Sequence, residues 1–119
     1  MRALEVYAGP RARAHLLERG LQPNDVHVMP GAAGGPKGLV LNAIDQLLLT
    51  QWLPKAKHPV HLMGSSIGAW RMAIACLPNA PAMFEQWAHD YIHQSFPSAP
   101  GRAPTAATVT NVFRKKLDE

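Results

Sequence analysis

Short, continuously apolar runs alternate along the chain with stretches whose apolar positions recur every three or four residues. The run "DVHVMPG", residues 25 to 31, is rich in β-branched side chains and is closed by Pro30 and Gly31, which predicts a strand. In "LVLNAIDQLLLTQWL", residues 39 to 53, positions 40, 41, 44, 47, 48 and 52 are apolar, a helical spacing that Pro54 stops. "VHLMG" predicts a second strand. Residues 67 to 77, "IGAWRMAIACL", are apolar nearly all round with Arg71 as the single charge, so this helix belongs inside a layered fold. Residues 82 to 95 form an amphipathic helix with Met83, Phe84, Trp87, Tyr91 and Ile92 on one side.

The order strand, glycine-rich loop, helix, strand, serine turn, helix is a βαβ unit. It predicts an α/β fold with parallel strands, a right-handed crossover and helices on both faces of the sheet. Upstream, residues 3 to 8 are weakly strand-like, and residues 10 to 19 predict a helix that Pro10 opens and Gly20 ends. Downstream, "FPSAPGRAPTAATV" is a loop, and "NVFRKKLDE" begins a further helix. Three segments follow: a helical lead-in at 1–24, an α/β segment at 25–95, and a Pro/Ala-rich tail at 96–119.

Composition narrows the function classes. The chain has 119 residues, 47% hydrophobic, enough for one small domain or part of a larger one. Its net charge of +4 suits an anionic membrane surface. The basic residues are not interleaved with aromatics, so nothing points to nucleic acid. A single cysteine, Cys76, excludes an intrachain disulfide, fits a reducing compartment and reads as an inert core thiol. No apolar stretch has the form of a signal peptide or the length of a membrane span, so a cytoplasmic protein is expected, peripheral to a membrane where it meets lipid.

The candidate chemistry lies in the two loops. Ser66 stands between a strand and a buried helix, in "GSSIG". Gly64 and Gly68 remove the side chains that would clash in a sharp turn, and such a turn lifts the hydroxyl clear of the sheet as a nucleophile. The amide of Ile67 heads the following helix, where N–H groups have no internal partner, and can meet an oxyanion. The other loop, "AAGGPKG", follows the neighbouring strand, so both loops leave the sheet at its carboxyl edge, where α/β proteins place ligands. Gly34 and Gly35 allow close backbone approach to a substrate carbonyl. Pro36 cannot donate, so the remaining oxyanion donors are Gly34, Gly35 or Lys37. The competing reading of Ser66 is a helix-capping hydroxyl, and that of the glycines a phosphate-binding turn.

These residues resemble the patatin-like phospholipases. That family's first motif runs Asp-Gly-Gly-Gly-x-Arg/Lys-Gly, which Gly34, Gly35, Lys37 and Gly38 match while Ala32 and Ala33 replace the leading Asp and Gly. Its second motif, Gly-x-Ser-x-Gly, is matched in full by Gly64, Ser66 and Gly68. The resemblance covers residues 25 to 78. It implies a mostly parallel sheet between helices, a Ser–Asp dyad acting on lipid acyl esters as hydrolase or acyltransferase, and no cofactor or metal. Lys37 would contact anionic head groups or steady the loop. The family's aspartate belongs to a later Asp-Gly-Gly/Ala motif. After Ser66 the chain has only Asp90, before Tyr91, and Asp118, before Glu119, and neither matches. The chain is therefore expected to be an N-terminal fragment of such a domain, marginally folded and inactive alone. The alternative is a non-catalytic lipid- or partner-binding remnant of the fold.

Histidines elsewhere carry less. His89 and His93 have the spacing of the zinc motif His-Glu-x-x-His, with Asp90 in place of Glu. They share a polar face with Glu85 and Gln86, and a solvated face is the reading adopted. Asp90 and His93 follow Ser66 in triad order, but lie too close together to reach it from separate loops.

Overall fold

A computed structural model describes residues 7 to 117. Helix α1 (Pro10–Arg19) has Pro10 in its first turn and Gly20, at φ 69°, just past its end. The strand expected at 3–8 lies largely outside the described residues, and Tyr7 and Ala8 are not in a strand. A 3₁₀ turn (Pro23–Asp25) leads into β1 (Val28–Gly31). A long helical run follows in four windings: 3₁₀ over Gly35–Leu41, α2 (Asn42–Leu47), a π turn over Leu48–Trp52, and 3₁₀ again over Leu53–Lys55. Then come β2 (His61–Gly64), α3 (Ile67–Ala75), α4 (Ala80–His93) and α5 (Ala106–Leu117). The chain divides between Gln86 and Trp87, within α4, into two compact units.

The strands pair in parallel, Val28 with His61 through to Gly31 with Gly64. Both loops of interest therefore leave the sheet side by side at one edge. Helix α3 packs against both strands and against the first 3₁₀ winding. Its approach is close because glycines face each other: a Cβ at Gly68 would stand 2.1 Å from the Gly31 carbonyl oxygen, and one at Gly64 would stand 2.4 Å from the Ala69 Cα. The core of this unit is Leu49, Leu53, Ile67, Met72, Ile74, Ala80 and the fully buried Phe84.

Four expectations are corrected. The stripe at 40, 41, 44 and 47 does not face the core; Val40 is 79% exposed, and Leu41, Ile44 and Leu47 are exposed too. The inward face carries Asp45, Leu49 and Leu53, in four-residue steps. The 3₁₀ and π windings either side of α2 shift the face away from an α-helical period. The strands are not covered on both faces either, since Val28 and Met63 are exposed and nothing among the described residues covers them. Cys76 is exposed rather than core, because it is the C-cap of α3, its thiol 3.4 Å from the Met72 carbonyl oxygen. The late helices are displaced from their expected ranges: α4 starts two residues early and stops at His93, and α5 begins at Ala106.

Arg71 resolves the anomaly of a charge on a buried helix. It reaches Asp45 of α2 in a two-pronged pair, Nε to Oδ2 and Nη2 to Oδ1, the latter at 2.6 Å, with both residues about 95% buried. This pair ties the helix that follows the glycine loop to the helix that follows Ser66.

Two stability predictions follow from these contacts. Gly68→Ala forces backbone apart and should cost at least about 3 kcal/mol in urea unfolding, while Gly9→Ala, with open space around it, stays within about 0.5 kcal/mol. Asp45→Asn, which strands the buried guanidinium, should cost about 3–5 kcal/mol, and the double variant Asp45→Leu/Arg71→Met should recover most of it.

Candidate active site

The turn at Ser66 follows from its neighbours. The ladder extends one step past the strand through the Ser65 amide, which donates to the Gly31 carbonyl oxygen at 3.1 Å. Helix α3 must then begin at once, because Gly68 already lies against Gly31. Ser66 takes up the whole change of direction at φ 53°, ψ −127°. It is the one non-glycine residue with positive φ among the described residues. Such a conformation costs an L-residue on the order of 1–3 kcal/mol and persists only where its surroundings enforce it.

Ser66 is the N-cap of α3 by position, yet its side chain makes no capping bond and is exposed. The amides that a capping hydroxyl would satisfy are already served: Gly68 N–H donates to Ser65 O at 3.0 Å and Ala69 N–H to Ser66 O at 2.9 Å. The capping reading therefore fails, and the hydroxyl is left to solvent. The Ile67 amide heads the helix and has no backbone acceptor among the described residues.

The glycine loop is held beside this turn through Gly38, where a Cβ would stand 2.9 Å from the Ile67 Cδ1. Gly38 and Ile67 are both buried, so the first 3₁₀ winding rests on the residue after the serine. Gly35 sits at φ 53° in open space, so there the need for glycine is conformational, whereas at Gly64 and Gly68 it is steric. The Lys37 amide is bonded to Gly34 O at 3.3 Å, which removes it from the candidate oxyanion donors. The Gly34 and Gly35 amides remain. The Lys37 side chain is exposed and makes no ion pair among the described residues.

Neither aspartate of this unit among the described residues is free to serve Ser66. Asp45 is bound by Arg71. Asp25 accepts from the Gln22 amide at 2.8 Å and lies 2.8 Å from His15 Nε2; these bonds, the Gln22 one foremost, hold its carboxyl below the usual aspartate range. His61 opens β2 and so stands roughly 10 Å of strand from Gly64, at about 3.3 Å per residue. His58 precedes it and is engaged elsewhere. In the second unit, Asp90 lies 3.9 Å from Lys116 Nζ, and His89 and His93 are exposed and stacked on each other. Among the described residues no group of three or more His, Cys, Asp or Glu could hold a metal ion, and no helix is long and apolar enough to cross a membrane.

No protein-family model, curated protein or solved structure matches the chain.

The Asp45–Arg71 pair was not legible in the sequence. Its one signal was the lone charge on an apolar helix, which demands a buried partner without naming it.

Strain at Ser66 is measurable. Ser66→Gly should be more stable than Ser66→Ala by about 1 kcal/mol in urea unfolding, because only glycine relieves the positive φ. Equal stabilities would show an unstrained turn.

Proposed function

We propose that the chain carries the nucleophile and oxyanion elements of a serine acyl-ester hydrolase acting on lipids, of the patatin-like kind. The observation that carries this reading is Ser66, held at φ 53° on a strand-to-helix turn with its hydroxyl uncommitted. In the reaction, Ser66 Oγ forms a bond to the ester carbonyl carbon as its proton passes to a base. The negative charge that develops on the carbonyl oxygen is met by the Ile67 amide and by Gly34 or Gly35. One such donor contributes about 3 kcal/mol in a serine hydrolase. The alcohol then leaves with a proton, and water releases the acid from Ser66.

The base is an aspartate of an Asp-Gly-Gly or Asp-Gly-Ala motif that these 119 residues do not contain. The reading implies a cytoplasmic protein that meets its substrate at an anionic membrane surface. The net charge of +4 and the exposed Lys37 beside the loop support that. One observation favours a second reading, a non-catalytic lipid- or partner-binding remnant: both first-unit aspartates among the described residues are already engaged.

A fluorophosphonate probe separates the two. The 119 residues alone should not turn over a p-nitrophenyl ester. The product of a reading frame that also encodes the aspartate motif should be labelled at Ser66, and Ser66→Ala should abolish labelling. No labelling of that longer product supports the binding reading, and ester turnover by the 119 residues, lost in Ser66→Ala, overturns the missing base.

A further inference from the structure

At the opposite edge of the sheet from Ser66, His58 lies between the segments that lead into the two strands. Both of its ring nitrogens face carbonyl oxygens: Nδ1 is 3.0 Å from Pro59 O and Nε2 is 3.1 Å from Asn24 O. A carbonyl oxygen only accepts, so both contacts are hydrogen bonds only when both nitrogens carry protons, that is, in the imidazolium form. The neutral ring has one N–H, and its other nitrogen then sets a lone pair against a carbonyl lone pair.

The same junction carries two further bonds. The Lys57 amide donates to Asn24 Oδ1 at 2.8 Å, and the His61 amide donates to His27 O at 2.9 Å. The His58 ring is stacked on His27, centroids 4.3 Å apart and planes 11° apart. It also lines an open cleft of about 230 Å³ whose other walls, Leu49, Leu53, Pro54, Ala56, Val60 and Leu62, are apolar.

We propose that His58 is a proton-operated clasp: protonated, it ties the Asn24 turn to the segment before β2; deprotonated, it releases the turn. The charged and titratable groups around it are few. His27 stacks on it, Lys55 and Lys57 precede it in sequence, and His61 opens the following strand. Asp25, on the Asn24 turn, is occupied by Gln22 and His15. The carboxylate on that turn is thus already engaged, and the charge of the clasp is held by the two carbonyls. The bonds to Pro59 and then to Asn24 raise the His58 pKa above its ordinary value, against a smaller opposing effect of burial. A histidine whose folded pKa is raised contributes stability that is complete below its unfolded pKa and is lost as pH rises through the folded one. The clasp is thus closed in mild acid and opens on the alkaline side of about 6.5.

The test is a proton-NMR titration of the His58 ring in the chain, with hydrogen exchange of the Lys57 and His61 amides measured between pH 5.5 and 8. His58 should titrate above about 6.5. Protection of the Lys57 amide, corrected for intrinsic exchange, should fall by about tenfold per unit of raised pKa. His15→Gln should keep that dependence and His58→Gln should remove it. A His58 titrating at or below the free-histidine value, or Lys57 protection flat with pH in the unsubstituted chain, overturns the clasp. The titration decides even if His58→Gln does not fold.

Discussion

The first unit depends on one contact of exclusion, the backbone of Gly68 against the carbonyl of Gly31. No side chain fits between helix α3 and the end of β1, so the helix must start within two residues of β2. That leaves Ser66 to absorb the turn at positive φ, and leaves the Ile67 amide unpaired at the head of the helix. Steric contact at the glycines is thus converted into backbone strain at the serine. The strain presents the hydroxyl, while the same packing seats Ile67 beneath Gly38 and brings the glycine loop to the same edge.

The Asp45–Arg71 pair determines which way the intervening helical run faces. Burying either charge alone would be too costly, so the two must meet, and meeting turns Asp45, Leu49 and Leu53 inward. The apolar stripe that the sequence displays most clearly is turned outward as a result. Hydrophobic pattern and charge pairing make competing demands on this run, and its 3₁₀ and π windings are how the backbone meets the second.

That competition explains what could be read in advance. The parallel βαβ order, the serine turn and the glycine loop were legible because each depends on residues adjacent in sequence: Pro30-Gly31, Gly64 to Gly68, Gly34-Gly35. The facing of residues 40 to 48 was not, because it depends on a partner 26 residues away. Burial of the strands on both faces was expected from their apolar run alone, but burial depends on what else packs there, and Val28 and Met63 stay open. Of the oxyanion candidates, the sequence kept Lys37 because it has an N–H; only the 3₁₀ winding shows that N–H to be in use. The resemblance that suggests the chemistry rests on the short loops, and the fold around them was read independently of it.

The two edges of the sheet are held by different physics. At the carboxyl edge the constraint is excluded volume, which no proton can change. At the amino edge, beside the Lys57 and His61 amide bonds, it is the proposed imidazolium between two carbonyls, a contact that depends on a proton. Each strand is only four residues long, and the two edges are joined by the parallel ladder that runs from Val28–His61 to Gly31–Gly64. The turn that presents the nucleophile keeps its geometry for as long as Gly31 and Gly68 remain in contact.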